Sequence, residues 1–236
     1  MSRPDGTRLA YRYLRGEGPT LLFLPGYMSD MQGGKAQALA LWADRNNRAM
    51  LRLDYSGCGE SGGSFDQGSL DLWRDDVLTV IAEIDCAPLI IIGSSMGGWL
   101  MLLVAKALGD CVKALVGIAA APDFTDWDFD AEDRSILQAE GRIERQSDYG
   151  YEPMVVTRRF WQSGQDNLQL TGEIAIECPV RLIHGQQDPD VPWDISLKLA
   201  AHLRSADVQT ILIKDGDHRL SRDQDIALLI DVVAKL

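Results

Sequence analysis

A chain of 236 residues fits one domain of ordinary size and buries roughly 70–75% of the surface its unfolded form exposes, so no disulfide staple is needed. Its formal charge of −12 at pH 7 repels a phosphate backbone, and no basic stripe with interleaved aromatics offsets that field, which excludes nucleic acid as a partner. Cys58, Cys86, Cys111 and Cys178 lie far apart with no Cys-x-x-Cys spacing, which speaks against a zinc ribbon or a thioredoxin-type site and reads as free thiols in a cytoplasmic protein.

The first residues, Met1-Ser2-Arg3-Pro4-Asp5-Gly6, pass into polar turn residues without the charged-then-apolar pattern of a signal peptide, so export is not expected. A first strand at 8–13 should pair antiparallel at one edge. Apolar runs at 20–24, 49–54, 89–92, 114–119, 180–184 and 209–213 then read as buried strands. Between them, 35–45, 70–84, 96–108, 195–203 and 224–235 carry helical spacing. Strand and helix alternate, which predicts an α/β chain with a mostly parallel sheet covered on both faces. The longest apolar stretches, such as 89–92 and 100–104, fall far short of the ~20 residues a membrane helix requires, so stable membrane insertion is not expected.

The alternation fails between the strands at 114–119 and 180–184. Residues 122–178 should form an insertion on a core made of 1–121 and 179–236. The insertion holds Phe124, Trp127, Phe129, Tyr149, Tyr151, Phe160 and Trp161, an aromatic load too heavy for a solvated linker. It is read as a small, mainly helical cap over the sheet, since long inserts in compact domains are usually lids or binding loops.

Chemistry concentrates at Gly93-Ser94-Ser95-Met96-Gly97, between an apolar strand and a helix. This is Gly-x-Ser-x-Gly in the context the motif requires: a sharp strand-to-helix turn that exposes the central serine, with glycines where a Cβ would clash. Register selects Ser95, because a nucleophile at Ser94 would need glycines where Ile92 and Met96 stand. The helix N-terminus after Ser95 aims backbone donors at any oxyanion formed there.

Only three histidines are available as the base. His202 lies in a helical pattern and reads as a surface or packing residue. His184 ends a strand and reads as a loop hydrogen-bond partner. His218 follows the last strand on a loop, where open α/β sheets place their sites, and is the candidate base. Two carboxylates follow the penultimate strand. Asp188 is the candidate that orients His218 and stabilises its charged form, with Asp190 as the alternative. The backbone N–H groups of Tyr27 and Met96 are candidate oxyanion donors. Tyr151, Phe160 and Trp161 are candidates to line an apolar acyl slot. The Gly57-Cys58-Gly59 turn lacks a following glycine helix start or a Walker lysine and reads as structural. With so few histidines and no carboxylate-histidine cluster, neither a metal nor another cofactor is expected.

In this order the motifs resemble the α/β-hydrolase superfamily. Within it, the chain is more closely similar to the mitochondrial α/β-hydrolase-domain acyl-protein thioesterases, depalmitoylases that are also acyl-glucuronide esterases, and to their bacterial relatives than to the superfamily pattern at large. The blocks that carry the resemblance are Phe23-Leu24-Pro25-Gly26-Tyr27, Asp54-Tyr55-Ser56-Gly57, Gly93-Ser94-Ser95-Met96-Gly97-Gly98-Trp99-Leu100-Met101-Leu102, His184-Gly185 with Asp188 and Val191-Pro192-Trp193, and Asp217-His218-Arg219. The resemblance implies the α/β-hydrolase fold with the cap inserted between the sixth and seventh strands, a Ser95, Asp188 and His218 triad, and a small-molecule or acylated-protein substrate. The chain opens without the transit peptide of the mitochondrial relatives, so their compartment is not carried over, and the cap is less similar than the core. The expected activity is hydrolysis of esters or thioesters through an acyl-enzyme on Ser95. Hydrolysis of another bond (peptidase, lactonase or C–C hydrolase) and a non-catalytic ligand receptor on the same scaffold stand as alternatives. The oligomeric state is left between monomer and weak dimer.

Overall fold

Every residue of the strand Leu89–Ser94 is buried, as a strand covered on both faces must be. The computed structural model describes residues 1–145 and 153–236. It places this strand at the centre of a seven-stranded sheet. The sheet strands before the insertion are β1 (Tyr11–Leu14), β2 (Glu17–Leu24), β3 (Arg48–Leu53), β4 (Leu89–Ser94) and β5 (Val112–Ile118). Within the insertion, β6 (Arg142–Arg145) and β7 (Met154–Thr157) form a separate antiparallel ladder. After it come β8 (Val180–Gly185) and β9 (Val208–Ile213). The spatial order is β1-β3-β2-β4-β5-β8-β9, with β1 antiparallel to β3 and the other neighbours parallel.

Alternation along β4 divides the core. Ile90 and Ile92 point to the face where α1 (Gly34–Arg45) contributes Ala36, Leu39 and Ala43. Leu89 and Ile91 point to the opposite face, covered by α2 (Leu70–Ile84) and α3 (Met96–Leu108), whose Val77, Trp99 and Leu103 are buried there. The chain leaves β2 for the outer strand β3 and returns across it to β4, so the direction of winding reverses between β2 and β4. A crevice at the carboxyl ends of those two strands is where an open α/β sheet places its ligand.

The insertion follows β5, the fifth sheet strand, and precedes β8, the sixth. That is one strand earlier than the position between the sixth and seventh that the resemblance implied; the strands read from the sequence itself already place the gap after the fifth, and the residues before β1 add only an isolated bridge between Ser2 and Arg8. Helices predominate in it: α4 (Phe124–Trp127), α5 (Ala131–Glu140) and α6 (Arg158–Asp166). A capping box at Asp130 and Asp133 starts α5, and the Thr157 hydroxyl caps α6 by accepting from the Phe160 amide. Two more helices, α7 (Asp194–His202) and α8 (Asp223–Ala234), complete the core. Aromatic packing joins insertion to core, with the Phe160 ring 5.4 Å from Trp73 and 4.6 Å from Tyr27. The Trp99 indole of α3 donates to the Asn167 carbonyl over 3.1 Å.

Candidate active site

At the end of β4 the chain turns into α3 through Ser95, which holds φ +54° and ψ −123°. A non-glycine residue in this region carries about 1–3 kcal/mol of strain and persists only where its surroundings over-determine it. They do so here. The Ser95 amide donates to the Ile118 carbonyl over 2.9 Å, and its own carbonyl accepts from Gly98 at 2.8 Å and Ala121 at 3.1 Å. The flanking glycines are required by close approach: a Cβ on Gly93 would overlap the Gly97 carbonyl, and one on Gly97 would overlap the carbonyls of Leu24 and Pro25. The outcome is a serine whose side chain stands clear of the sheet.

His218, on the loop after β9, faces it. Its Nε2 lies 3.1 Å from Ser95 Oγ and its Nδ1 lies 2.8 Å from Asp188 Oδ2. Nδ1–H can donate only to the carboxylate, which leaves Nε2 as the acceptor for the serine hydroxyl proton. Lys35 of α1 donates through Nζ to the Arg219 carbonyl and so ties the same loop down. Burial, with help from the Arg219 charge and against Asp217 and Asp225, brings the Lys35 ammonium down to about 8.

Asp188 sits on the loop after β8 with its side chain fully buried. Oδ1 accepts from the amides of Asp190 at 2.9 Å and Val191 at 2.8 Å. Oδ2 accepts from His218 and, at 3.1 Å, from Nε2 of His184. Burial alone would raise this carboxyl; the hydrogen bonds from His184 and His218, the charge on His218 and the Val191 amide outweigh it and hold Asp188 well below the usual carboxylate range. Asp190 is exposed and contributes its backbone amide to this arrangement. Of the two candidate acids, Asp188 is therefore the one in contact with His218. Asp188, Asp190 and His218 are also the one group of potential metal ligands among the described residues, and both oxygens of Asp188 are already engaged by N–H donors.

A cavity of about 790 Å³ opens over Ser95 and His218. Tyr27 and Met96 both line it beside Ser95, and the loop carrying Tyr27 passes so close that a Cβ on Gly26 would stand 3.3 Å from that of Ser95. The far wall comes from the insertion through Phe124, Trp127, Arg145 and Met154. Two expected pocket residues are not in that wall. Phe160 is buried on the inward side of α6 against Tyr27, Trp73 and Phe124. Trp161 packs against the core with its indole donating to the Thr125 carbonyl over 3.0 Å. Aromatic content marks a segment as apolar without saying which way each ring turns. Tyr151 lies outside the described residues.

The other histidines divide. His202 donates from Nδ1 to the Lys198 carbonyl within α7, away from the cavity. His184 is completely buried and touches Asp188 directly, a contact that reading it as a loop hydrogen-bond partner missed. The available signal was its place at a strand end four residues before the acid. Asp54 braces the Gly57–Gly59 turn: it accepts the amides of Met31 and Glu60 at 2.7 and 2.8 Å, and a Cβ on Gly59 would overlap its carboxylate.

Comparison with known proteins gives one consistent answer. The alpha/beta hydrolase family profile matches residues 21–232. Human palmitoyl-protein thioesterase ABHD10, mitochondrial, is 38% identical over 244 residues, covering 100% of this chain and 80% of the human protein. The structure of alpha/beta hydrolase domain-containing protein 10 from mouse superimposes with a TM-score of 0.92 at 37% identity, covering 100% of this chain and 96% of the mouse chain. A putative hydrolase from Agrobacterium vitis S4 superimposes with a TM-score of 0.93 at 36% identity, covering 100% and 95%. The human, orangutan and bovine relatives that match the whole chain are all named as mitochondrial, which overturns the cytoplasmic expectation. That expectation rested on cysteine usage and the opening residues rather than on any relative that matches the whole chain.

Proposed function

We propose, from the premise that this chain belongs to the alpha/beta hydrolase family, that it is a serine hydrolase that cleaves esters or thioesters through an acyl-enzyme on Ser95. The observation that carries this reading is the unbroken hydrogen-bond line from Ser95 Oγ through His218 to the buried Asp188, at 3.1 and 2.8 Å.

In the first step His218 Nε2 takes the Ser95 proton as Oγ attacks the acyl carbon. The carbonyl π bond breaks onto oxygen, and the amides of Tyr27 and Met96 receive that oxyanion. Asp188 stabilises the imidazolium through Nδ1. The tetrahedral adduct collapses by expelling the alcohol or thiol, which leaves with the proton returned by His218. Water then repeats the sequence on the acyl-serine, releasing the acid and restoring Ser95. The strained turn at Ser95 holds Oγ in place before substrate arrives, so little reorganisation is needed at the moment of attack.

Residues 122–178 act as a cap on a core of 1–121 and 179–236. Phe124, Trp127 and Met154 supply apolar surface for the acyl chain. The human relative's name, palmitoyl-protein thioesterase, supports a long-chain acyl group on a protein thiol as the substrate; small acyl esters would use the same site. Ser95→Ala should lower turnover of a p-nitrophenyl ester by on the order of 10⁶, as removal of a triad serine does. A fluorophosphonate should label the wild type stoichiometrically at Ser95. A Ser95→Ala enzyme that keeps most of its turnover overturns the mechanism, and a folded wild type that fails to label points to a ligand receptor instead.

A further inference from the structure

His184, at the end of β8, has a side chain with no exposed surface, and its partner Ser196 on α7 is 1% exposed. Nε2 meets two acceptors, Asp188 Oδ2 at 3.1 Å and the Val191 carbonyl at 3.0 Å. An ionised carboxylate and a carbonyl have no proton to give, so the proton resides on Nε2. Nδ1 lies 2.7 Å from the Ser196 hydroxyl, which donates to it in the neutral ring and so selects that tautomer.

We propose that His184 is a positioning residue for the proton relay, fixing the Asp188 carboxylate so that Oδ2 is presented to His218. This rests on the reading of Ser95, His218 and Asp188 given above. The geometry is a closed clamp. Val191 donates its amide to Asp188 Oδ1 and accepts from His184 through its carbonyl, while His184 donates to Oδ2. The backbone amides of Asp190 and Val191 hold one oxygen; among the described residues, His184 is the only donor besides His218 on the other. Asp188, Asp190 and His218 gather beside it, their side-chain ligand atoms all within 4.8 Å of one another. A side chain that merely filled space here would not need a fixed tautomer, a buried hydroxyl partner, or a proton aimed at the atom that His218 uses.

Three variants test this on a p-nitrophenyl ester. His184→Leu fills the site without a donor, His184→Gln keeps an N–H, and Ser196→Ala removes the group that sets the tautomer. In His184→Leu, kcat should fall on the order of 10- to 100-fold with KM unchanged, since the acid is no longer held in register. The acid limb of its kcat/KM profile should move to higher pH, because Oδ2 then directs its charge to His218 alone. His184→Gln should recover most of kcat. Ser196→Ala should show a smaller fall with the same direction of shift, which keeps the test decisive if the leucine variant does not fold. Unchanged kcat and pH profile in the folded leucine and alanine variants, or losses that only track the folded fraction, overturn the proposal. If wild type still labels at Ser95 with a fluorophosphonate in that case, the triad reading stands and only the positioning role fails.

Discussion

The phenolic hydroxyl of Tyr27 donates to the backbone carbonyl of Val155 over 2.8 Å. The loop beside Ser95 is thereby fastened to β7 of the insertion. Burial, with the charges of Cys58 and Asp66, pushes this phenol above its ordinary range, so it remains a donor. Tyr27→Phe keeps the ring contacts with Phe65, Phe124 and Phe160 and deletes only that bond. Stability measured by urea unfolding should drop by about 1 kcal/mol, with a several-fold loss in kcat as the loop loosens. Identical unfolding midpoints would mean that the bond does not fasten the loop.

Asp188→Asn replaces an acceptor that serves four N–H donors with a group that must turn one NH₂ toward a donor. Turnover should fall by about 10⁴, as for the equivalent change in a triad protease. Fluorophosphonate labelling should slow in parallel. An asparagine variant within tenfold of wild type, on the order of 1.4 kcal/mol in barrier, would remove Asp188 from the relay.

The same carboxylate sets an acid limit on stability. Its folded-state pKa lies below the unfolded value near 3.9. The stabilisation is therefore complete above about pH 5 and is lost as pH falls through the unfolded value toward the folded one. In urea titrations the stability advantage of wild type over Asp188→Asn should shrink between roughly pH 5 and pH 3. An advantage that grows on acidification contradicts the assignment.

Ser95 occupies backbone space that suits glycine. Ser95→Gly should relieve strain and exceed Ser95→Ala in unfolding free energy by about 1 kcal/mol, net of the extra chain entropy of glycine when unfolded. Both variants should be inert. Equal stability in the two would show that the turn is unstrained.

Trp127 stands in the cavity wall with its indole donating to the Pro122 carbonyl over 2.8 Å. Trp127→Ala removes apolar surface from one side of the acyl site. The effect should depend on chain length: kcat/KM for a long-chain p-nitrophenyl ester should fall roughly tenfold, corresponding to about 1.4 kcal/mol of lost contact, while the acetate ester changes little. A uniform loss across chain lengths would place the acyl chain elsewhere.

The sheet was legible because buried parallel strands leave unbroken apolar runs such as Leu89-Ile90-Ile91-Ile92, and the helices between them carry clear periodicity. Ser95 was legible because the packing that forbids a Cβ at Gly93 and Gly97 writes itself into the sequence. His218 and Asp188 followed from loop position, and the structure brings both into contact with the rest of the relay. The insertion was harder to read. Strand β6, Arg-Ile-Glu-Arg, is charged and four residues long, so nothing in it signals a ladder; the apolar character of the pair lies in its partner β7, Met-Val-Val-Thr. Phe160 was assigned to the wrong surface because spacing alone cannot say whether Tyr27 and Trp73 or an open cavity lies opposite. His184 carried one local mark, its place at a strand end four residues before the acid it touches; the hydroxyl that sets its tautomer lies twelve residues later.

The division of labour within the chain has an evolutionary reading. Ser95, Asp188 and His218 ride on loops of one sheet, and Lys35 anchors the last of these from a helix of that same body. The side chains that line the cavity opposite Ser95, Phe124, Trp127, Arg145 and Met154, belong to a different stretch. Drift in that stretch can retune which molecules are admitted while leaving the proton path untouched, so descendants of one ancestral chain can diverge in diet before they diverge in chemistry.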